Sequence, residues 1–209
     1  NGDATATTTL SFSGLVGSET LGQSVSSTFN NKNVGTGKTV TVNSITLSDG
    51  SNGGVASNYS ISAGQTTTAN ITAKALTVSG ITASNKTYDG NTVVTLDLTG
   101  TSYSGLVSGD DVSISASGSF DNKNVGTGKT VNISSSYSGS DVGNYSITDQ
   151  ATTTANITAS VSGITVRGIT ASNKTYDGNN SATLDTSNVS YSGLVEGDDV
   201  TGSFSGTFS

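Results

Sequence analysis

The stretch Ile81-Thr82-Ala83-Ser84-Asn85-Lys86-Thr87-Tyr88-Asp89-Gly90 occurs twice in this chain, and its second occurrence, Ile169 to Gly178, is identical. Repeats of this kind decide the architecture and are therefore identified before any single element. Other segments return in the same order. Asn31–Val40 returns as Asn122–Val131, an offset of 91 residues, and Thr66–Ala73 returns as Thr152–Ala159, an offset of 86.

These offsets divide the chain into three copies of one repeat. We predict a first copy over residues 1–74 that lacks its N-terminal strand, a complete copy over 75–160, and the N-terminal part of a third over 161–209. A repeat of this length exceeds one coil of a solenoid and is long enough for a small independent domain. The sequence therefore predicts beads on a string.

Alternation of apolar and polar residues dominates within each copy, as in Val112, Ile114 and Ala116. A period of two residues is typical of strands with one buried face. Turn residues such as Asp89-Gly90 separate these runs. We predict an all-β fold of tandem, small, antiparallel, immunoglobulin-like β-sandwiches. The strands expected in the complete copy lie near 75–82, 92–99, 112–120, 129–137, 144–149 and 152–159.

Composition excludes several classes of site. Only 31% of the residues are hydrophobic, which favours several thin cores over one large core. The chain has no Cys, His, Met or Trp, so a zinc site built on Cys or His, a Ser-His-Asp triad and a cysteine nucleophile are all excluded. We expect no enzyme activity, no catalytic residues and no cofactor.

The balance of charge argues against two classes of partner. A net charge of -7 disfavours nucleic acid, whose phosphates attract clustered Lys and Arg, and it disfavours docking on an anionic membrane. No apolar run approaches the ~18 residues of a membrane-spanning helix. We therefore expect neither nucleic-acid binding nor membrane insertion.

Five ordered blocks of the complete copy resemble the bacterial YDG repeat. These blocks are Lys86–Gly90, Tyr103–Asp110, Asn122–Lys129, Gly143–Tyr145 and Ala155–Thr158. The YDG repeat occurs in tandem in very large surface proteins, including adhesins similar to filamentous haemagglutinin. The resemblance covers essentially the whole chain and implies a secreted or surface-tethered stalk, located outside the cell or on the bacterial surface. It implies no catalytic residues.

The first copy departs from this pattern at one place. Gly17-Ser18-Glu19 stands where the complete copy has Gly109-Asp110-Asp111, so Glu19 is paired with Asp111 in this comparison. The paired aspartates Asp110-Asp111 and Asp198-Asp199 are candidates for calcium between repeats. Neighbouring strand residues point to opposite faces, however, and the spacing of a calcium loop is missing. We therefore assign no metal site.

Three other motifs are weighed against a structural role. Tyr88-Asp89-Gly90 is either a displayed recognition loop or a packed tyrosine followed by a turn, and turn chemistry favours the second. Gly35–Thr39 and Gly126–Thr130 fail as phosphate loops, because lysine stands where the first glycine is required and no helix follows. We interpret their glycines as a flexible turn before a strand.

Covalent modification is a separate question for this sequence. Lys86 and Lys129 are the candidates for a lysine–asparagine crosslink because they recur, with solvated lysines as the default. Asn-x-Ser/Thr sequons, including Asn85 and Asn173, are candidates for glycosylation.

The leading functional hypothesis is a structural stalk in a bacterial surface adhesin or extracellular matrix filament of a biofilm. Such repeats bear tension and space a binding tip from the cell, and their partners are neighbouring repeats of the same or an identical chain. One alternative is a self-assembling filament subunit joined by strand complementation between chains. Another is a weak, multivalent module that binds host or bacterial surface glycans.

Overall fold

A computed structural model of the chain describes residues 2–160 and 163–209. In this part of the chain nearly all regular structure is β-strand, and the only helices are two short 3-10 turns, Ala56–Asn58 and Val142–Asn144. The prediction of an all-β fold is confirmed. The Ser, Thr and Val alternation gives each strand one face that can be buried.

The first copy forms one four-stranded sheet in the order β1-β2-β3-β4, and all neighbours in it are antiparallel. On β3, Val40 and Val42 are buried, whereas Thr39 and Asn43 are exposed, as the alternation requires. The strands are β1 (Thr5–Ala6), β2 (Leu21–Phe29), β3 (Gly35–Asp49) and β4 (Thr66–Ile71).

The middle copy contains ten strands in the order of the chain. They are β5 (Lys74–Ser79), β6 (Thr82–Ala83), β7 (Lys86–Thr87), β8 (Val93–Val94), β9 (Leu96–Asp97), β10 (Ser102–Ser104), β11 (Ser113–Phe120), β12 (Gly126–Ser138), β13 (Tyr145–Thr148) and β14 (Thr152–Thr158). They form a three-stranded sheet, β10-β5-β13, a five-stranded sheet, β7-β14-β12-β11-β8, and the pair β6-β9.

The prediction of antiparallel pairing throughout is wrong at two places, since β13 pairs with β5 in parallel and β14 pairs with β7 in parallel. Parallel neighbours require a long connection, and most of the copy lies between the two strands of each pair. Two predicted strands are also interrupted. Gly80, with φ of +87°, ends β5 and separates it from β6, and the expected 92–99 strand is divided into β8 and β9. Packing of the sheets into a sandwich within each repeat stays a prediction.

The third copy repeats the pairing of the middle copy. Thr165 pairs with Ser192 as Thr77 pairs with Ser104, and each partner is displaced by 88 residues. The same displacement relates the pairs β16-β18 and β6-β9. The strands here are β15 (Thr165–Arg167), β16 (Thr170–Ala171), β17 (Ser181–Ala182), β18 (Leu184–Asp185), β19 (Ser190–Ser192) and β20 (Gly206–Thr207).

The glycines of Gly35–Thr39 and Gly126–Thr130, which were interpreted as a flexible turn before a strand, instead lie inside strands. Gly128 is part of β12 and Gly37 is part of β3, both at φ +59°, where the pairing register shifts. The backbone N–H of Gly128 donates to the Asn156 side-chain oxygen at 2.7 Å, and that of Gly37 donates to Asn70 at 2.8 Å. The positive φ identifies a β-bulge, which needs glycine because a Cβ is disfavoured there.

The chain divides into two compact units, and the middle copy contributes to both. The first unit comprises Asn1–Ser79, Thr101–Ser115 and Ser135–Asp149, and the second comprises Gly80–Gly100, Ala116–Ser134 and Gln150–Ser209. Buried side chains of the first unit include Val40, Leu76 and Val78. In the second unit one cluster forms the core: Val94, Phe120, Val131, Ala155 and Ile157. The predicted boundaries near 75 and 160 stay a prediction.

Candidate functional site

Each copy contains a tight acidic turn, which we call the corner. In the middle copy it runs from Val107 to Asp110, and the Asp110 N–H donates to the Val107 carbonyl at 3.1 Å. The equivalent bond closes Val195–Asp198 in the third copy, and another closes Val16–Glu19 in the first copy, both at 3.1 Å. Each corner therefore begins with valine and ends with a carboxylate.

A tyrosine of the same copy holds the corner in two of these cases. The Tyr145 hydroxyl accepts a hydrogen bond from the Val107 N–H at 3.0 Å and donates to Asp110 Oδ2 at 2.6 Å. In the first copy the Tyr59 hydroxyl accepts from the Val16 N–H at 3.1 Å and donates to the Glu19 carboxylate. Both tyrosines follow asparagine in a recurring Asn-Tyr-Ser-Ile segment.

These contacts correct the pairing of acidic residues made from sequence. Glu19 takes the place of Asp110, whereas the sequence comparison paired it with Asp111. The error arose because that comparison aligned the glycines. In the corners the positive φ lies at Gly109 and Gly197, but in the first copy it lies one position earlier, at Gly17. The carboxylate is thus present in all three copies.

A lysine from the preceding copy reaches the corner of the next one, and we call this contact between copies a joint. In the first joint, Lys32 Nζ lies 2.8 Å from Asp110 Oδ1 and 3.0 Å from Asp141 Oδ1. The side chains of both aspartates are largely covered, at 7% and 12% exposed. All three residues lie within the first compact unit.

Neighbours of Lys32 add a neutral contact to the first joint. The Val34 N–H donates to Asn144 Oδ1 at 2.9 Å, so the segment that carries Lys32 is also held through its backbone. The carboxylate of Asp141 in turn accepts from the Asp111 N–H at 3.0 Å, which fixes its position beside the corner. Sequence reasoning did not identify Asp141, and it considered Asn144 only within the block Gly143–Tyr145.

The second joint repeats this arrangement with Lys123 and the third copy. Lys123 Nζ lies 2.7 Å from Asp198 Oδ1. The Tyr88 hydroxyl donates to the same carboxylate, at 2.5 Å to Oδ1 and 2.7 Å to Oδ2. Lys123 also lies over the Tyr88 ring, 5.9 Å from its centroid. Each member of this group belongs to the second compact unit.

The glycine of the Tyr-Asp-Gly motif makes the closest steric contact of the second joint. Gly90 has φ of +80°, and a Cβ placed on it would lie 2.8 Å from Cγ1 of Val195. Gly2 makes the matching contact in the first joint, where a Cβ would lie 2.5 Å from Cγ1 of Val107. Both positions need glycine for their backbone conformation and for the approach of the valine.

Charge and hydrogen bonding move the pKa values in the joints in consistent directions. The Lys32 ammonium, followed by the Tyr145 hydroxyl, lowers the pKa of Asp110. Lys123 and then Tyr88 lower the pKa of Asp198 in the same way. Conversely, the hydrogen bond to Asp198 raises the pKa of Tyr88. The joints thus favour ionised aspartate, protonated lysine and neutral tyrosine.

The paired aspartates do not converge on one point. Asp110 binds Lys32 and Tyr145, whereas Oδ2 of its neighbour Asp111 accepts from the Ser140 N–H at 3.0 Å. Among the residues that the structure describes, no cluster of three or more metal-ligating acidic side chains occurs. At Asp110 an ammonium group occupies the position at which a calcium ion was considered.

The two lysines considered for a crosslink are largely covered, whereas the default expectation was solvated lysines. Lys86 Nζ lies 2.6 Å from Asp89 Oδ1 and 2.9 Å from Asn91 Oδ1, with 15% of the side chain exposed. Lys129 Nζ lies 3.0 Å from Asp121 and 2.7 Å from Asn122, with 10% exposed.

Each of these lysines stabilises the adjacent turn through an ion pair and a hydrogen bond. The Lys86 ammonium lowers the pKa of Asp89 because it stabilises the ionised carboxylate. Tyr88 packs against the core cluster of the second unit, as the structural interpretation of Tyr88-Asp89-Gly90 expected.

The described residues form pockets of different sizes, one of them in the first joint. A cavity of about 70 Å³ lies in the first joint, lined in part by Lys32, Val107 and Tyr145. A larger, open pocket of about 640 Å³ lies beside Tyr176 and is lined in part by Lys174 and Phe208. No helix within residues 2–160 and 163–209 has the length and apolarity to cross a membrane.

Comparison with known families gives one result. The sequence model of the YDG domain matches residues 1–69, 72–155 and 159–209. The matches cover nearly the whole chain and include both joints. Searches among curated proteins and among solved structures found no match.

Proposed function

The chain belongs to the YDG domain family, and from this premise we propose that it is a stalk segment whose repeats are fastened end to end. Each repeat acts as a small β-sandwich in tandem with its neighbours, and the joints limit bending between them. The stalk bears tension and spaces a binding tip from a bacterial cell, outside the cell or on its surface. Its partners are neighbouring repeats, and it performs no catalysis.

The observation that carries this proposal is the recurrence of the joint. Lys32 reaches the corner of the middle copy as Lys123 reaches the corner of the third copy. Gly2 meets Val107 as Gly90 meets Val195. A contact made twice with equivalent residues follows from the repeat itself, so every further repeat that carries these residues can be joined in the same way.

The joint suits a load-bearing role because it combines charge, hydrogen bonds and close packing at one point. Charge-assisted hydrogen bonds are shorter and stronger than neutral ones, and Asp110 accepts from both Lys32 and Tyr145. The glycine–valine contact adds a steric stop that charge alone would not provide. No disulfide is available to this chain, so such contacts are its means of resisting extension.

A glycan-binding role has weaker support. Repeated binding sites would need an exposed aromatic side chain in each copy. Of the seven tyrosines, Tyr145 is buried and Tyr176 is 93% exposed. The other five are half-buried: Tyr59, Tyr88, Tyr103, Tyr137 and Tyr191.

Small-angle X-ray scattering of the 209-residue chain tests the proposal. We expect the wild-type chain to scatter as an elongated particle. The double variant Lys32→Gln, Lys123→Gln should show a broader distribution of interatomic distances, because both joints lose their cation. Arg167→Gln serves as the control, since this exposed cation lies in β15 outside both joints. A compact wild-type particle would contradict the proposal, as would a double variant that scatters like the control.

A further inference from the structure

We infer that the complete YDG repeat resists tension through a shear clamp, which we define as the two parallel ladders that join β5 to β13 and β7 to β14. The inference rests on the proposed function, because the tension comes from the stalk, and it identifies the part of a repeat that carries this load. All four strands belong to the middle copy. The clamp can therefore be tested separately from the joints between copies.

The two parallel ladders have the same register. In the first ladder Tyr145 pairs with Lys74, and in the second Ile157 pairs with Lys86, so each partner lies 71 residues further along the chain. The first ladder contains four residue pairs and the second contains two. One offset thus pairs the beginning of the repeat with its end in both compact units.

Side chains and flanking backbone extend the second ladder. Asn85 Oδ1 accepts the Asn156 N–H at 2.7 Å, and these two residues are also 71 apart. The Tyr88 N–H donates to the Thr158 carbonyl at 2.8 Å, and Thr158 Oγ1 donates to the Lys86 carbonyl at 3.3 Å. The Asn85 side chain, which the sequence offered for glycosylation, therefore supplies an acceptor to the clamp.

One further side chain attaches the end of the repeat to its beginning. Gln150 lies between β13 and β14, and Ile81 lies between β5 and β6. The Ile81 N–H donates to Gln150 Oε1 at 3.0 Å, and Gln150 Nε2 donates to the Ile81 carbonyl at 2.7 Å. The amide of Gln150 thus makes the two hydrogen bonds that a strand residue would make with its backbone.

The clamped strands are covered from solvent. Leu76 and Val78 of β5 are 0% and 2% exposed, and Ile157 of β14 is 1% exposed. Gly105 packs so closely on β5 that a Cβ placed on it would lie 2.4 Å from the Ala75 carbonyl oxygen. A ladder bond broken in such surroundings leaves polar groups unpaired away from water, which is costly.

The direction of pull decides how these ladders resist. Ala73 directly precedes β5 and Ala159 directly follows β14, and both alanines end the recurring segments Thr66–Ala73 and Thr152–Ala159. A pull between them draws β5 towards its N-terminus and β14 towards its C-terminus. Parallel strands then slide along each other, and their evenly spaced hydrogen bonds are strained together. Strands pulled apart at one shared end would instead separate one pair at a time.

Single-molecule force measurements on the 209-residue chain test the inference by changing the direction of pull. The chain has no cysteine, so two introduced thiols define where the force acts. Ala73→Cys with Ala159→Cys loads both ladders in shear. Ala73→Cys with Gly143→Cys separates β5 from β13 at their N-terminal ends. All three positions are exposed, and a Cβ on Gly143 would meet no atom within 4 Å.

At equal loading rates we expect the Ala73–Ala159 pair to unfold at about threefold higher force than the Ala73–Gly143 pair, because the four residue pairs of the first ladder must break together and forced unfolding follows the unfolding rate. Asn85→Ala should lower the force for the Ala73–Ala159 pair and leave the other unchanged. Asn173→Ala is the matched control, since it alters the identical stretch outside the clamp, and it should change neither force.

Equal forces in the two geometries would overturn the inference, as would a higher force for the Ala73–Gly143 pair. A loss of force in both geometries for Asn85→Ala would count against the second ladder, because general destabilisation has no preferred direction. If Ala73→Cys impairs folding, Thr72→Cys places the handle at the same end of β5 and is also exposed.

Failure of the joints is recognised separately from failure of the clamp. The double variant Lys32→Gln, Lys123→Gln removes the cation of each joint and none of the hydrogen bonds of the clamp. It should therefore keep the difference in force between the two geometries. Loss of that difference in this variant alone would show that the joints carry the load, which would also contradict the inference.

Discussion

The two Tyr-Asp-Gly motifs have the same sequence and different surroundings. Tyr88 is half-buried, donates to Asp198 and lies under Lys123, whereas Tyr176 is 93% exposed. Val195 packs closely against Gly90, whereas a Cβ placed on Gly178 would meet no atom within 4 Å. Tyr88 also packs against the core cluster of its unit, and its N–H donates to the Thr158 carbonyl at 2.8 Å. The surroundings of the motif therefore come both from the strands of its own copy and from the corner of the next one.

This comparison also explains why the motif contains these three residues. The tyrosine supplies a hydroxyl for the carboxylate of the next copy, the aspartate pins the turn through Lys86, and the glycine lets valine approach. Only the aspartate has a partner within its own turn. The tyrosine hydroxyl and the glycine gain their purpose from a neighbour, which makes paired substitutions in the two motifs a direct test.

The largest difference is expected from Gly90→Val compared with Gly178→Val. Both variants place a side chain at positive φ, which costs of order 1–3 kcal/mol. Only the first also collides with Val195, and overpacking of this kind adds about 1–3 kcal/mol. Urea denaturation should therefore show a greater loss of unfolding free energy for Gly90→Val. Equal losses would mean that the close contact between Gly90 and Val195 does not contribute to the free energy of unfolding.

A smaller difference is expected from removing one hydroxyl. Tyr88→Phe removes the donor to Asp198 and leaves the ring, whereas Tyr176→Phe changes a side chain that is almost fully exposed. The first variant should lower the thermal midpoint, and the second should leave it unchanged. If calorimetry gave the same midpoint for Tyr88→Phe, Tyr176→Phe and wild type, the hydrogen bond to Asp198 would not stabilise the joint.

The smallest effect is expected from the joint carboxylates, whose contribution to stability is present at neutral pH and is lost in acid. Asp110 and Asp198 have lowered pKa values in the folded chain, from an ordinary value of 3.8. Their stabilising contribution is therefore complete above that value and is lost as pH falls through the folded pKa.

The measurement that checks this pH dependence compares the wild-type chain with Asp198→Asn. The difference in unfolding free energy between them should be constant from neutral pH to about pH 5 and should shrink below about pH 4, because the carboxyl of the unfolded chain then takes up a proton that the folded joint disfavours. Asp49→Asn, which lies outside both joints, is the control for general acid effects. A difference that stays constant through this range would show that the joint does not favour the ionised form of Asp198 over the neutral form.

Much of the fold could be predicted from the sequence because its signals are local. Alternation over β11 and β14 identified both strands to within a residue or two, and identical segments identified the repeat. The parallel pairing of β13 with β5 could not be predicted, since pairing partners distant in the chain leave no mark in either strand. Gly128 was recognised as irregular, but its place inside a bulge depends on the partner strand.

The joint was harder to predict because its members are far apart in sequence. Lys32 and Asp110 are 78 residues apart, and Tyr88 and Asp198 are 110 residues apart. Recurrence identified each of these residues as part of the repeat. A residue that forms a turn recurs just as a residue that contacts the next copy does, so recurrence alone did not distinguish the two roles. The recurrence of Lys32 as Lys123, together with that of Asp110 as Asp198, is the signal that could have suggested a contact between copies.

A disulfide between Gly90→Cys and Val195→Cys tests the central claim most directly, because it joins two copies at the point where their Cβ positions lie 4.0 Å apart. The joint predicts that the two thiols of one chain oxidise readily to an intramolecular disulfide, while a Gly178→Cys, Val195→Cys chain does not. If the Gly90–Val195 thiols remained free under the same conditions, the two copies would not meet at the YDG motif and the account of the joint would be wrong.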